Sequence, residues 1–175
     1  MSTFEIVKWY SEGKSCQLYS IHIFDKRTDE ASLFFEKYGA TDHPKRPYTN
    51  QLLLLIIKSI ANKYGASDDF FDRHENDIHA LPPKPKKYIT EISLLGSSFP
   101  LRIYCMRITN EILIIFNGGE KTAPSTQGSK DLSMKFYEAL SFANQIKDAL
   151  NASIIEVDHS KKELKHFQTN NKIEL

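Results

Sequence analysis

Three runs of strand-type sequence lie nearly end to end in the second half of the chain: Tyr88–Leu94, Leu101–Ile108 and Ile112–Phe116. Their connections carry Gly96-Ser97-Ser98 and Thr109-Asn110-Glu111, short enough for antiparallel hairpins. A three-stranded antiparallel meander is therefore expected, and the remaining elements have to cover it.

The chain opens with two more strand candidates, Phe4–Tyr10 and Gln17–Phe24, joined by a turn at Glu12-Gly13-Lys14. In the second, Tyr19, Ile21 and Ile23 alternate with Leu18, Ser20 and His22, the period of a pleated strand. Thr28 or Asp29 can cap a short helix carrying Leu33, Phe34 and Phe35, which stops before Gly39. After a loop at His43–Pro47, Thr49 is read as the cap of a longer helix that ends near Gly65, a residue suited to a left-handed C-terminal position. Leu52–Ile57 is apolar all round, so this helix should be enclosed. The acidic stretch Asp68, Asp69, Asp72, Glu75 and Asp77 reads as a solvated connection, and Leu81–Tyr88 as a proline-stiffened basic segment. A polar loop, Asn117–Ser129, precedes a helix over Asp131–Leu150, where Leu132, Phe136, Ala139, Leu140, Ala143 and Ile146 fall at helical spacing and read as core. Gly118-Gly119 is read as a turn. A strand at Ser153–Val157 and a charged tail close the chain. The whole is an α+β domain over 1–150, its antiparallel meander and N-terminal strands packed with helices, with 151–175 as a tail or extra strand.

At 175 residues one domain can bury a full core. Cys16 and Cys105 lack metal or redox spacing and read as small core residues of a reducing compartment. The opening residues lack the apolar centre of a signal peptide, and Leu52–Ile57 is far short of the ~18 residues of a membrane span. A cytoplasmic protein without a membrane partner is expected. The net charge of +1 gives no global attraction to nucleic acid, so any such contact must come from local patches.

One segment carries a family likeness. It consists of Glu91-Ile92-Ser93, then Leu101-Arg102-Ile103-Tyr104, then the aliphatic strand Ile112–Phe116, then Glu120-Lys121-Thr122 and a helix. It resembles the core of the RelE/HigB toxin superfamily of bacterial toxin–antitoxin systems, in its phage-derived, HigB-like branch. The likeness is specific over Leu101–Thr122 and extends in outline over Leu52–Ile146. It implies a RelE/ParE-like fold and a toxin acting as an mRNA endonuclease, often on the ribosome. An antitoxin would be its protein partner; a related branch poisons DNA gyrase. The chain departs from the family pattern at Ser93, where an arginine is usual, and at Glu120, where a lysine is usual. These departures keep a second reading open, a non-catalytic module of the same fold acting through protein contact, its tail adding a strand to a partner through Ile154, Ile155 and Val157.

Metal-independent RNA cleavage needs a deprotonated 2′-hydroxyl, cations on the developing charge and a donor to the leaving oxygen. No cofactor or metal is expected. Arg102 and Arg107 suit the phosphate, but they are five apart, so a regular strand points them to opposite faces. Arg102, which the resemblance matches, is the catalytic candidate, with Tyr104 on its face and Lys121 on the neighbouring strand. Glu91 is a further acid–base candidate, alongside Tyr88, Glu120 and His79. Lys84, Lys86, Lys87 and Arg107 are candidates for gripping the RNA backbone. Each has a plainer role: Tyr104 as a core aromatic, Arg102 paired across the sheet to Glu91 or Glu111, and the lysines as a solvated loop. His74 and His79 are five apart, a poor helical metal pair.

Overall fold

The computed structural model describes residues 3–96, 98–122, 129–168 and 172–175. Strands β1 (Phe4–Tyr10) and β2 (Gln17–Ile23) form the expected first hairpin. Helix α1 (Glu30–Tyr38) starts at Asp29, whose carboxylate accepts from Ser32 N, and stops at Gly39, as the sequence predicts. Helix α2 (Arg46–Leu54) runs on without a break into a π-helical stretch, Leu55–Tyr64, which ends at Gly65 with φ 74°. The chain folds back through β3 (His74–Glu75) and β4 (Ile78–Leu81), makes one helical turn, α3 (Thr90–Ser93), and enters the long hairpin β5 (Leu101–Thr109) and β6 (Ile112–Glu120). Helix α4 (Lys130–Asn151), the hairpin β7 (Ile155–Asp158) and β8 (Glu163–His166), and β9 (Ile173–Glu174) complete it.

Seven strands form one sheet in the order β3-β4-β5-β6-β2-β1-β9. Every pairing in it is antiparallel except β2 with β6, which the α1–α2 excursion makes parallel. Both faces are covered, and side chains alternate between two cores. Leu18, Leu101, Ile103, Cys105, Leu113 and Ile115 face α1 and α2, among Phe34, Leu52, Ile56 and Ile60. Tyr19, Ile21, Tyr104, Met106, Ile112, Ile114 and Phe116 face α4, among Leu132, Ala139, Phe142, Ala143 and Ile146. Cys16 and Cys105 are both free and buried, and burial pushes the Cys16 thiol up to about 12. No helix among the described residues is long and apolar enough to cross a membrane.

Several elements differ from the sequence reading. Tyr88–Leu94 is not a strand: Ile89 and Ile92 are both buried at a spacing of three, which a helical turn satisfies and a strand does not. The strand that joins β5 on that side is instead β4, in the register His79↔Cys105, Ala80↔Tyr104 and Leu81↔Ile103. Thr49 is not a cap. Helix α2 begins at Arg46 with Pro47 in its first turn, and the buried Thr49 hydroxyl sits 2.9 Å from both Tyr38 O and Lys45 O, tying α2 to α1. The acidic stretch is pinned rather than simply solvated: Asp68 pairs with Arg107, Asp72 with Lys86 and Asp77 with Lys147, while Asp69 accepts from the Tyr88 hydroxyl. Of the expected polar loop, Asn117–Glu120 belongs to β6, and 123–128 lie outside the described residues. The C-terminal residues fold back on their own chain. Ile155, Leu164 and Ile173 are buried in the α4-side core, and β9 pairs with β1 at Glu5 and Ile6.

Gly118 and Gly119 lie in β6, opposite Ile103 and Arg102, and not in a turn. A Cβ on Gly118 would stand 2.2 Å from the carbonyl oxygen of Arg102 and 2.8 Å from the Phe34 ring, so the backbone itself would have to move. A Cβ on Gly119 would meet the Asp131 carboxylate at 2.4 Å, a side-chain end that can swing aside. Gly118→Ala is therefore expected to cost about 1–3 kcal/mol and Gly119→Ala less than about 1 kcal/mol. Urea denaturation of the two variants checks the order.

Candidate functional site

Arg102 is the one charged side chain that β5 turns toward the apolar α4-side core. It is 4% exposed, on the same face as Tyr104 and two residues away from it. Its Nη1 donates to Phe99 O and Leu101 O, each at 2.8 Å, which fixes the plane of the guanidinium. The Nε–Nη2 edge has no hydrogen bond to a described residue. That edge is the one that grips a carboxylate or phosphate with two parallel bonds. Gly119 is the residue opposite Arg102 on β6, so no side chain comes across the ladder from that strand.

Around Arg102 opens a cleft of about 340 Å³, lined by Arg73, Lys84, Lys121, Tyr104 and Phe136, with Asp72, His74, Glu75 and His79 toward β3 and β4. Lys121 arrives here because its backbone N–H bonds Pro100 O at 2.7 Å, extending the β5–β6 ladder past Gly119 and placing the lysine two residues on, on the same face. Arg73 is steadied by a 3.1 Å bond from its Nε to Pro82 O. Among the described residues, no carboxylate pairs with Arg73, Arg102 or Lys121. The electrostatics record this crowding of like charge. Burial, then repulsion from Arg73, pulls the Arg102 guanidinium down to about 10. Burial, then Arg102 and Arg73, lowers the Lys121 ammonium.

The sequence candidates divide. Arg102, Tyr104, Lys121 and Lys84 come together in the cleft. Tyr104 is also buried, its ring edge-on to Phe136 at 5.8 Å, so it is a core aromatic and a cleft wall at once. Glu91 lies elsewhere: it accepts from Lys63 at 2.8 Å and from the Tyr64 hydroxyl at 3.1 Å, and the Lys63 bond holds its carboxyl below the usual range. Glu111 pairs with Lys162, so neither carboxylate considered for Arg102 reaches it. Arg107 points to the other face, as the spacing requires, to Asp68 at 2.5 Å and over the Phe71 ring. Lys86 is taken by Asp72; burial alone would raise that carboxyl, but the bonds from Lys86 and from Lys84 N outweigh it and hold it low. Lys87 is exposed beside them. Glu120 pairs with Lys45 at 3.5 Å.

Sequence pattern alone does not find Arg73. It is the lone cation of an acidic run and reaches the cleft only because β3–β4 folds against β5. Phe136 carries a helical core signal, yet it also lines the cleft. His79 sits between the Phe71 ring at 5.1 Å and the His74 ring at 5.8 Å, with its Nδ1 buried and unbonded among the described residues. No group of three or more His, Cys, Asp or Glu among the described residues is placed to hold a metal.

Burial, then Arg107 and His74, pushes the His79 imidazole down to about 4, below its usual 6.5. The unfolded chain therefore binds a proton that the folded chain refuses between those values, so this residue's contribution is complete above pH 6.5 and is lost as pH falls toward 4. Urea denaturation at about pH 5 and about pH 7 should show a smaller pH-dependent loss in His79→Leu than in the parent. Equal losses would remove His79 as the cause. In comparisons with protein-family models, curated proteins and solved structures, the chain has no match.

Proposed function

We propose that the cleft binds a phosphodiester, and that the chain is a metal-independent RNA endonuclease acting as the toxin of a type II toxin–antitoxin pair. The observation that carries the reading is the buried Arg102 guanidinium, which lines a cleft with three further cations, Arg73, Lys84 and Lys121, and has no carboxylate paired to it among the described residues. A buried charge without a counter-ion costs several kcal/mol, and an anion in the cleft would offset that cost. The resemblance over Leu101–Thr122 supplies the kind of anion, the backbone of mRNA, free or on the ribosome.

In this reading the Arg102 fork and Arg73 hold the non-bridging oxygens and stabilise the charge that grows on them as the 2′-oxygen attacks phosphorus. Lys121, its ammonium made more acidic by burial and then by Arg102 and Arg73, gives a proton to the departing 5′-oxygen. Tyr104, on the face of Arg102 and in the cleft lining, is assigned the base, taking the 2′-hydroxyl proton in its ionised tyrosinate form. Lys84 extends the positive rim.

A second reading, a non-catalytic module or a gyrase-directed toxin acting through protein contact, has its own observation. A groove of about 360 Å³ lies between α2 and α3, lined by Gln51, Leu54, Leu55, Lys58, Leu94 and Leu95, with Leu54 61% and Leu94 76% exposed. Apolar surface of this kind suits a protein partner, an antitoxin under the first reading and a target under the second.

Induced expression followed by growth measurement and primer extension separates them. The endonuclease reading expects growth arrest with discrete transcript ends. Arg102→Ala and Lys121→Ala, shown to be folded by circular dichroism, should reduce cleavage about 100-fold or more. Arrest with intact transcripts would favour the protein-contact reading, and cleavage untouched by Arg102→Ala would end the proposed mechanism.

A further inference from the structure

The cleft also has an aromatic lining. The Phe136 ring lines it, edge-on to Tyr104 at 5.8 Å. The Tyr137 ring follows Phe136 at 5.5 Å and is 63% exposed. Nearly one helical turn back, Met134 is 65% exposed. The strip therefore runs from a half-buried ring in the cleft to an open one on the surface of α4. Exposed rings cost solvation, and among the described residues Tyr137 and Met134 stay open to solvent. A cation cluster beside an aromatic face matches one ligand chemistry closely: a phosphate joined through a sugar to a flat base. Base–aromatic stacking is available only to bases that are not already stacked in a duplex.

We infer that Phe136 and Tyr137 form a base-stacking subsite, so that the cleft takes a single-stranded nucleic-acid segment with a phosphodiester on Arg102 and an adjoining base on the aromatic strip. This rests on the phosphodiester reading above and narrows it. Charge selects the backbone, and the rings select an unpaired strand. Every base has a flat face, so the subsite is tolerant of sequence.

Fluorescence anisotropy with short labelled strands, about eight nucleotides long, tests it. The probes are a 2′-O-methyl oligouridylate, which cannot be cleaved, its all-abasic counterpart with the same phosphates, an A-form duplex, and a deoxy strand. The wild type should bind the base-bearing strand roughly 5- to 100-fold more tightly than the abasic one. It should bind the duplex no better than the abasic strand. Tyr137→Ala should shrink the preference and leave abasic binding unchanged, and Phe136→Leu should shrink the preference as well. The deoxy arm tells whether the strand is RNA or either nucleic acid. Equal binding of base-bearing and abasic strands would overturn the subsite and leave the phosphodiester reading standing, as would a preference that survives both variants. No binding of any strand would end both.

Discussion

A guanidinium held inside an apolar core, with Nη1 bonded to two carbonyls and its other edge without a hydrogen bond to a described residue, is the constraint around which the site is arranged. Arg102 lies on a central strand where alternate residues feed the α4-side core, and its neighbours on that face are Tyr104 and Met106. The Phe99 and Leu101 carbonyls fix it without neutralising it. The surrounding cations add to the cost of burial, since burial and then Arg73 lower the guanidinium, and burial and then both arginines lower Lys121. Three like charges kept together, with no carboxylate among the described residues paired to them, are the basis of the proposed anion site.

The rest of the architecture serves this placement. Glycine at 118 lets β6 run close to β5, because a side chain there would strike the Arg102 carbonyl. Glycine at 119 leaves the position across from Arg102 without a side chain. The continuation of β6 carries Lys121 to the same face, and the β3–β4 fold-back brings Arg73. Several carboxylates near the cleft or considered for Arg102 are engaged by other cations, Glu91 by Lys63, Glu111 by Lys162, Glu120 by Lys45 and Asp72 by Lys86, while Glu75 lines the cleft on its β3 side.

Much of the fold is legible in the sequence because period carries it. The alternation of β2, the paired apolar strands β5 and β6, the Asp29 cap and the 22-residue α4 all follow from local pattern. Ile89 and Ile92 mislead because a few aliphatic residues in a short segment fit a strand or a turn of helix equally well. Gly118-Gly119 signals a turn by composition, and only the close approach of β5 explains it as strand. In the site, Arg102 and Tyr104 are legible together because a spacing of two puts them on one face. Arg73 depends on a long-range pairing that no local pattern encodes, and Glu91 goes astray with the segment that carries it, which turns as helix toward Lys63.

The most direct test of the account is thermal denaturation of the wild type and Arg102→Met in rising inorganic phosphate, at constant ionic strength set with chloride. Ligand that binds only the folded state raises its stability in proportion to the logarithm of one plus the ratio of free ligand to Kd. The account predicts that the wild-type midpoint climbs with phosphate and that the Arg102→Met midpoint, with the buried charge replaced by an unbranched apolar chain, does not. An equal climb in both proteins, or none in the wild type, would contradict it.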